Sequence, residues 1–305
     1  MLEFKTPEID DKAWVDECFK YLKTMNCDYT FGNIFVWSTE YSTKISRFKD
    51  FFICSWGRGK ETNFGVPIGT GNFKEAVGAV IEYAKANDIE PRFYGVTQAY
   101  IDMLNDAFPN SFDFIYDEGY GDYIYEVPKM AELHGKKYHG KRNHITNFKK
   151  NNPNWSFEII NNDNINDCIN LHAKWIETHI DDSDISFEFE AVLKAFENYD
   201  KLGFVGGIIR IDNEAVAYTF GEPISDETFV THFEKAPPEI QGAYPIINQE
   251  FTKNCLMNYK YVNREEDLGL EGLRKAKQSY FPEIFLKKCI AVYKLSLIHI
   301  SEPTR

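Results

Sequence analysis

No run of apolar residues in this chain approaches the roughly 20 needed to cross a bilayer. The opening Met1-Leu-Glu-Phe-Lys5 leads into an acidic stretch with no signal-like pattern. Cysteine is sparse: Cys18, Cys27, Cys54, Cys168, Cys255 and Cys289 are scattered, with no CxxC pair. That spacing implies reduced thiols in the cytoplasm, small and buried, with no persuasive nucleophile among them. A Gly-x-Ser-x-Gly elbow is missing, and Gly69-Thr-Gly71 is too short for a nucleotide loop. Histidines are dispersed; His172 and His179 stand seven apart on one expected helix without a third ligand, so no metal site is expected. Basic charge is in short supply as well. Lys and Arg number 34 against 47 Asp and Glu, a net charge of -13 with a pI near 5.1. That balance disfavours a general nucleic-acid or anionic-membrane binder, which needs clustered cations, but leaves room for a local basic patch.

What the chain does have is enough apolar material for two cores. Its 305 residues are long for one compact domain and comfortable for two, with 43% hydrophobic residues and 16% aromatic. The aromatics are mostly Phe and Tyr, which suits sheet-rich domains.

Strand and helix patterns alternate along the chain. Helical spacing marks residues 9–25 and 73–87, the latter with Ala76, Val77, Val80, Ile81 and Ala84 on one face. Strands are expected over 44–48 and 51–55 around a turn at Lys49-Asp50, then 64–68, 91–95 and 123–127, with a helix over 98–107. This first α/β domain ends near Pro128, giving a boundary of 1–128. A mostly helical, basic connector follows over 129–150. The second domain, 151–294, reads strand (155–160), helix (165–179), helix (187–199), strands at 204–211, 215–221 and 228–234, helix (242–258), strand end (261–263), short helix (273–279) and a closing strand over 285–293. Residues 295–305 break the pattern and read as a non-native tail, so His299 carries no weight.

Four stretches stand out: Tyr29-Thr-Phe-Gly-Asn-Ile-Phe-Val-Trp37, Gly135-Lys-Lys-Tyr-His-Gly-Lys-Arg-Asn-His144, His232-Phe-Glu-Lys-Ala236, and the charged segment from Asn263 to Pro282 with glycines at 269 and 272. In the last, acidic groups precede basic ones, which suits a site holding an amine at one end and a phosphate or carboxylate at the other. A loop followed by a solvated helix accounts for the same charges.

Together these stretches resemble the family related to the C-terminal catalytic domain of phosphatidylglycerol lysyltransferases, which move an amino acid from aminoacyl-tRNA to a lipid head group. The resemblance implies an α/β fold, an α+β mixed-sheet arrangement of two tandem acyl-CoA N-acyltransferase-like domains. It also implies an acyl- or aminoacyl-transferase, with a coenzyme A derivative or aminoacyl-tRNA as donor. A non-catalytic protein binding a small anion on a degenerate form of the fold remains the alternative.

Acyl transfer needs a carrier site, a base and donors for the developing oxyanion. Gln241, Gly242 and Ala243, at the start of the helix over 242–258, are the place where that fold would lay a carrier pyrophosphate on unpaired amides. Alternation along 228–234 puts His232 and Glu234 on one strand face. Glu234 and Asp267 are the candidates to handle the nucleophile, with His232 beside them. Lys141, Arg142, Asn143, Arg274 and Lys277 are the candidates to hold an anionic substrate, Arg142 by bidentate contact. Ordinary ion pairing of Glu234 with Lys235 or Arg274, and a solvated connector helix, are the competing structural readings.

Overall fold

The computed structural model of the chain describes residues 2–177 and 184–294, with side chains from residue 188 onward in the second stretch. His179 and the tail 295–305 lie outside the described residues. Two mixed seven-stranded sheets organise the fold. In chain order the strands are β1 (Lys44–Phe48), β2 (Phe51–Trp56), β3 (Asn63–Gly65), β4 (Ile68–Gly69), β5 (Arg92–Val96), β6 (Phe112–Tyr116), β7 (Asp122–Glu126), β8 (Trp155–Ile159), β9 (Val205–Ile211), β10 (Glu214–Pro223), β11 (Thr228–Lys235), β12 (Tyr261–Asn263), β13 (Ile284–Leu286) and β14 (Cys289–Tyr293). The first sheet runs β1-β2-β3-β5-β14-β6, with β4 paired to β2. The second runs β13-β7-β12-β11-β10-β9-β8.

Local chemistry explains most elements. β1 and β2 form a two-residue hairpin in register Phe48↔Phe51, with Lys49 at φ 54 in the left-handed conformation such a tight turn uses. β9 and β10 repeat the device at Asp212 and Asn213, φ 50 and 70. Helix Phe73–Ala86 is capped by Asn72, whose side chain accepts from the Glu75 amide, and buries the expected apolar stripe in the core of the first sheet.

Two expectations fail, and for one reason. The strand expected to end the first half, β7, belongs to the second sheet, between β13 and β12. The single closing strand expected over 285–293 is two strands: β13 pairs with β7, while β14 inserts between β5 and β6 of the first sheet. The sheets therefore exchange strands across the boundary at 128. Periodicity reports which residues are buried, not which sheet buries them. β6 was not expected at all; it is an edge strand with Ile115 and Tyr116 exposed, so its pattern is weak.

The second sheet is covered on both faces. Helices Phe31–Val36, Ile165–Glu177 and Asp184–Glu197 share a core with Ile208, Tyr218, Phe220 and Phe233. Helices Val127–Glu132, His139–Asn151 and Ala243–Cys255 share another with Ile209, Ala217 and Phe229. Residues of β9 and β10 alternate between these cores, as the pleat requires, except at the register shift in β10 where Val216 and Ala217 face the same one. The basic connector is thus part of the second core, through Ile145 and Phe148.

Candidate active site

β11 and β12 are parallel, and they pair only from Thr228↔Tyr261 to Val230↔Asn263. Beyond that point β11 runs on to Lys235 without β12 beside it. Into this opening project Glu234 from β11 and Arg264 from the residue after β12. Glu234 Oε1 accepts from Arg264 Nη2 at 2.8 Å, with side chains only 11% and 14% exposed. Glu234 Oε2 accepts from Asn248 Nδ2 at 3.2 Å, from helix Ala243–Cys255. The opposite oxygen, Asn248 Oδ1, is buried and has no hydrogen-bond partner, so an acceptor is left unmet beside the carboxylate.

Tyr280 floors the basic side. Its ring carries the Lys141 ammonium 3.9 Å from the centroid and the Arg264 guanidinium at 5.1 Å. Burial, and next the nearby Arg264 charge, push the Lys141 pKa down to about 8. Lys277 donates to the carbonyls of Arg264 and Glu266, and burial lowers its pKa too. Lys141 and Arg264 thus share the Tyr280 ring with Glu234 as counter-charge, while Lys277 is tied to the backbone of the loop after β12.

Other expected residues go elsewhere. Arg142 donates to the carbonyls of Leu133 and Gly135, closing the end of helix Val127–Glu132. Asn143 is exposed and bonds His139. Asp267 is fully buried: it accepts from Tyr123 Oη at 2.7 Å, Arg274 Nε at 2.7 Å and the Gly269 amide at 2.9 Å. Its hydrogen bond from Arg274 is the main reason its pKa falls to about 2. This carboxylate and Arg274 pin the loop after β12 and leave each other little freedom for substrate.

His232 does not share a face with Glu234. Phe220 pairs with Phe233 and Gly221 with Thr231, so His232 is the extra residue of a β-bulge. A Cβ on Gly221 would stand 1.8 Å from the Val230 carbonyl oxygen, so this close approach requires glycine. The bulge turns the buried imidazole between Glu265 Oε1 (2.8 Å from Nδ1) and Glu222 Oε1 (3.1 Å from Nε2). Burial opposes its charge, but the two carboxylates outweigh burial and raise the pKa to about 9. Glu222 also accepts from the amides of Gly32 and Asn33, which start helix Phe31–Val36. Glu265, held at φ 60, is the partly exposed end of this chain of bonds.

At the expected carrier site, the Ala243 amide is spent on the Ile240 carbonyl and Pro245 has no amide. Gly242, at φ 89, presses on helix His139–Asn151; a Cβ there would lie 2.7 Å from the His144 carbonyl oxygen. The start of this helix makes a poor pyrophosphate cradle.

Sequence reasoning gave no role to Arg264, Asn248 or Tyr280, nor to the ion network of Lys288. The ammonium of Lys288 lies 2.7 Å from Asp122, 3.3 Å from Asp28 and 3.6 Å from Glu266. Cys27, Asp28 and Glu266 bring three potential metal-ligating atoms together. Lys288 Nζ, 3.8 Å from Cys27 Sγ, stands among them as a built-in cation. All six cysteines are free thiols.

Two mixed sheets, the second opening between two parallel strands over a buried carboxylate, define a tandem acyltransferase-like fold. Residues 19–292 match the family described as phosphatidylglycerol lysyltransferase, C-terminal, and the chain belongs to that family. Among solved structures, a conserved protein of unknown function from Bacteroides thetaiotaomicron VPI-5482 shares 36% identity over 96% of this chain and 100% of that one, with a TM-score of 0.91. The C-terminal domain of a putative lysylphosphatidylglycerol synthetase from Agrobacterium fabrum matches at 13% identity and TM-score 0.68, covering 93% and 92% of the two chains. L-PGS from Bacillus licheniformis matches at 15% and 0.62, covering 86% and 91%. FemX has the same fold, with a TM-score of 0.58. No curated protein matches the chain significantly. Among the described residues no helix is long and apolar enough to cross a membrane.

Proposed function

We propose that the chain transfers an aminoacyl group from an activated ester to a hydroxyl or amine at the Glu234–Arg264 centre. The observation that carries this is the position of Glu234: a buried carboxylate in the opening between two parallel strands, with an unmet acceptor beside it. The nucleophile's proton passes to Glu234 as its oxygen or nitrogen bonds the ester carbonyl carbon. The ester C–O bond then breaks, and Lys141, an ammonium that releases its proton near pH 8, protonates the departing oxygen. Arg264 and Lys141 hold the anionic part of the donor or acceptor. Of the two expected carriers, aminoacyl-tRNA is the one we favour. The poor cradle at Gly242 weakens coenzyme A, and the family name supports an aminoacyl donor.

The test is an assay with labelled aminoacyl-tRNAs and a panel of acceptors including phosphatidylglycerol. Glu234→Gln should lower turnover about 100-fold, the usual size of a general-base contribution. Because Glu234 is ion-paired, this variant also loses stability, so Glu234→Gln/Arg264→Gln is the control. Recovery of transfer in the double variant would make Glu234 a mere partner of Arg264. No transfer from any donor, with tight binding of small anions at Lys141, would support the non-catalytic alternative.

A further inference from the structure

Both oxygens of Glu234 are engaged. At Oε1 the Arg264 guanidinium stands where a nucleophile's proton would arrive, and at Oε2 the Asn248 amide does. The Arg264 contact is the one built to be released. Arg274 grips its buried carboxylate with two nitrogens, Nε 2.7 Å from Asp267 Oδ2 and Nη2 3.2 Å from Oδ1, the two-point geometry that makes such pairs strong. Arg264 reaches Glu234 with Nη2 alone. Among the described residues no other donor of its guanidinium has a protein acceptor, and Lys141 makes no hydrogen bond or ion pair. The backbone at Arg264 is fixed on both sides. Its amide donates to the Tyr123 carbonyl, its carbonyl accepts from Lys277, and the next side chain, Glu265, is held by His232 at 2.8 Å. What is left to move is the guanidinium.

Lys141 and Arg264 lie against one ring with Glu234 as their common counter-charge, so one positive charge is left over. An anion at the free donors of Arg264 balances it and competes with Glu234 for the guanidinium. A phosphate group suits that place. It is charged throughout the neutral range, and its several oxygens match the guanidinium fork while leaving one for a second cation. We propose that a phosphodiester group of the substrate draws Arg264 off Glu234, so that the base is freed only when that group is bound. This rests on the reading of Glu234 as the base. The nucleophile's proton then passes to Oε1, its electron pair bonds the ester carbonyl carbon, and the ester C–O bond breaks. The device ties chemistry to occupancy: an activated ester alone with water meets a base still held by Arg264, which suppresses hydrolysis.

Calorimetric titration of the full chain with inorganic phosphate tests the displacement without turnover. Parent binding is expected in the millimolar range. Glu234→Gln removes the competing carboxylate and should tighten binding about 10-fold, whereas Arg264→Gln and Lys141→Met should each weaken it by at least about 10-fold. No binding at about 50 mM phosphate, or binding that Glu234→Gln leaves unchanged or weakens, overturns the proposal. Transfer is then assayed between two substrates without phosphate, an aminoacyl-adenosine and glycerol. Added phosphate should raise it at least about 10-fold in the parent and leave Arg264→Gln unaffected. Substituting aminoacyl-tRNA for the first, or glycerophosphoglycerol for the second, shows which substrate brings the group, because that pair should no longer need added phosphate. A measurable transfer that phosphate inhibits or leaves unchanged, or a need for added phosphate with both substitutions, sinks this proposal alone. No transfer from any donor sinks the reading beneath it as well. Should Glu234→Gln or Arg264→Gln not fold, Lys141→Met and the response of the parent to phosphate decide it.

Discussion

Lys288 Nζ lies 2.7 Å from Asp122 Oδ1, with side chains 4% and 0% exposed, and the pair joins the two places where the chain changes sheets. Asp122 opens β7, which enters the second sheet. Lys288 stands between β13 of the second sheet and β14 of the first. The other Asp122 oxygen accepts from the Cys27 amide at 2.9 Å and from Asn263 Nδ2 at 2.8 Å. One carboxylate thus ties the first half, β12 and the return of the C-terminal segment.

Removing one member of this network leaves charge buried without compensation. Lys288→Met should cost about 3–5 kcal/mol, the range for breaking a buried pair from one side. Urea denaturation of the variant measures it. A loss below about 1 kcal/mol, the value of an exposed pair, would show that the junction is solvated and not a fastener.

The exchange of strands also predicts that neither half folds alone. Residues 1–128 without β14 leave β5 and β6 unpaired with each other, since β14 bridges them. Residues 129–294 without β7 separate β12 from β13. Each fragment should lack a cooperative thermal transition, and mixing the two should restore one. A cooperative transition in either fragment by itself contradicts this.

How much of this was legible in the sequence follows from what each signal encodes. Local signals held: the turn at Lys49-Asp50, the stripe of helix Phe73–Ala86 and the hairpin at Asp212-Asn213 all formed where spacing placed them. Glu234 and Lys141 were marked by strand and charge pattern, and the structure brings them to one centre. Asp122 and Lys288 gave no signal, because only sheet topology makes neighbours of residues so far apart. His232 misled for a different reason. Alternation assumes an unbroken pleat, and the bulge at Gly221 reverses its side without leaving a clear mark in the pattern.

Two buried groups with raised pKa values predict the pH profile of stability. His232, raised to about 9, contributes stability that is complete below its usual 6.5 and is lost as pH rises through about 9. Glu266, raised to about 7 chiefly by burial, likewise contributes stability present below 4.5 and lost as pH rises through about 7. Stability of Glu266→Gln relative to the parent should therefore improve between pH 4.5 and 7. His232→Gln should flatten the fall between 6.5 and 9, at the cost of lower stability at neutral pH. Chemical denaturation at pH intervals reads both. Parallel profiles for the parent and both variants would show that neither group titrates in these windows.

Lys141 supplies the sharpest separation of function from stability. Its ammonium sits on Tyr280 beside Arg264, and burial together with the like charge of Arg264 outweighs the attraction of Glu234 and holds its pKa at about 8. The sign is opposite to that of His232. The unfolded chain keeps the Lys141 proton up to about 10.5, so stability should rise with pH from about 8 to 10.5. Lys141→Met keeps an unbranched chain against Tyr280 and removes the charge. It should raise stability at pH 7 by about 1 kcal/mol, or roughly 2–4 °C in Tm, while reducing transfer by at least about 100-fold as the acid and anion contact are lost. Lys141→Arg should keep substrate affinity but transfer slowly, because a guanidinium does not give up its proton in this range. A Met variant that loses stability and keeps transfer would show that Lys141 is a packing residue and would move the anion site to Arg264 and Lys277.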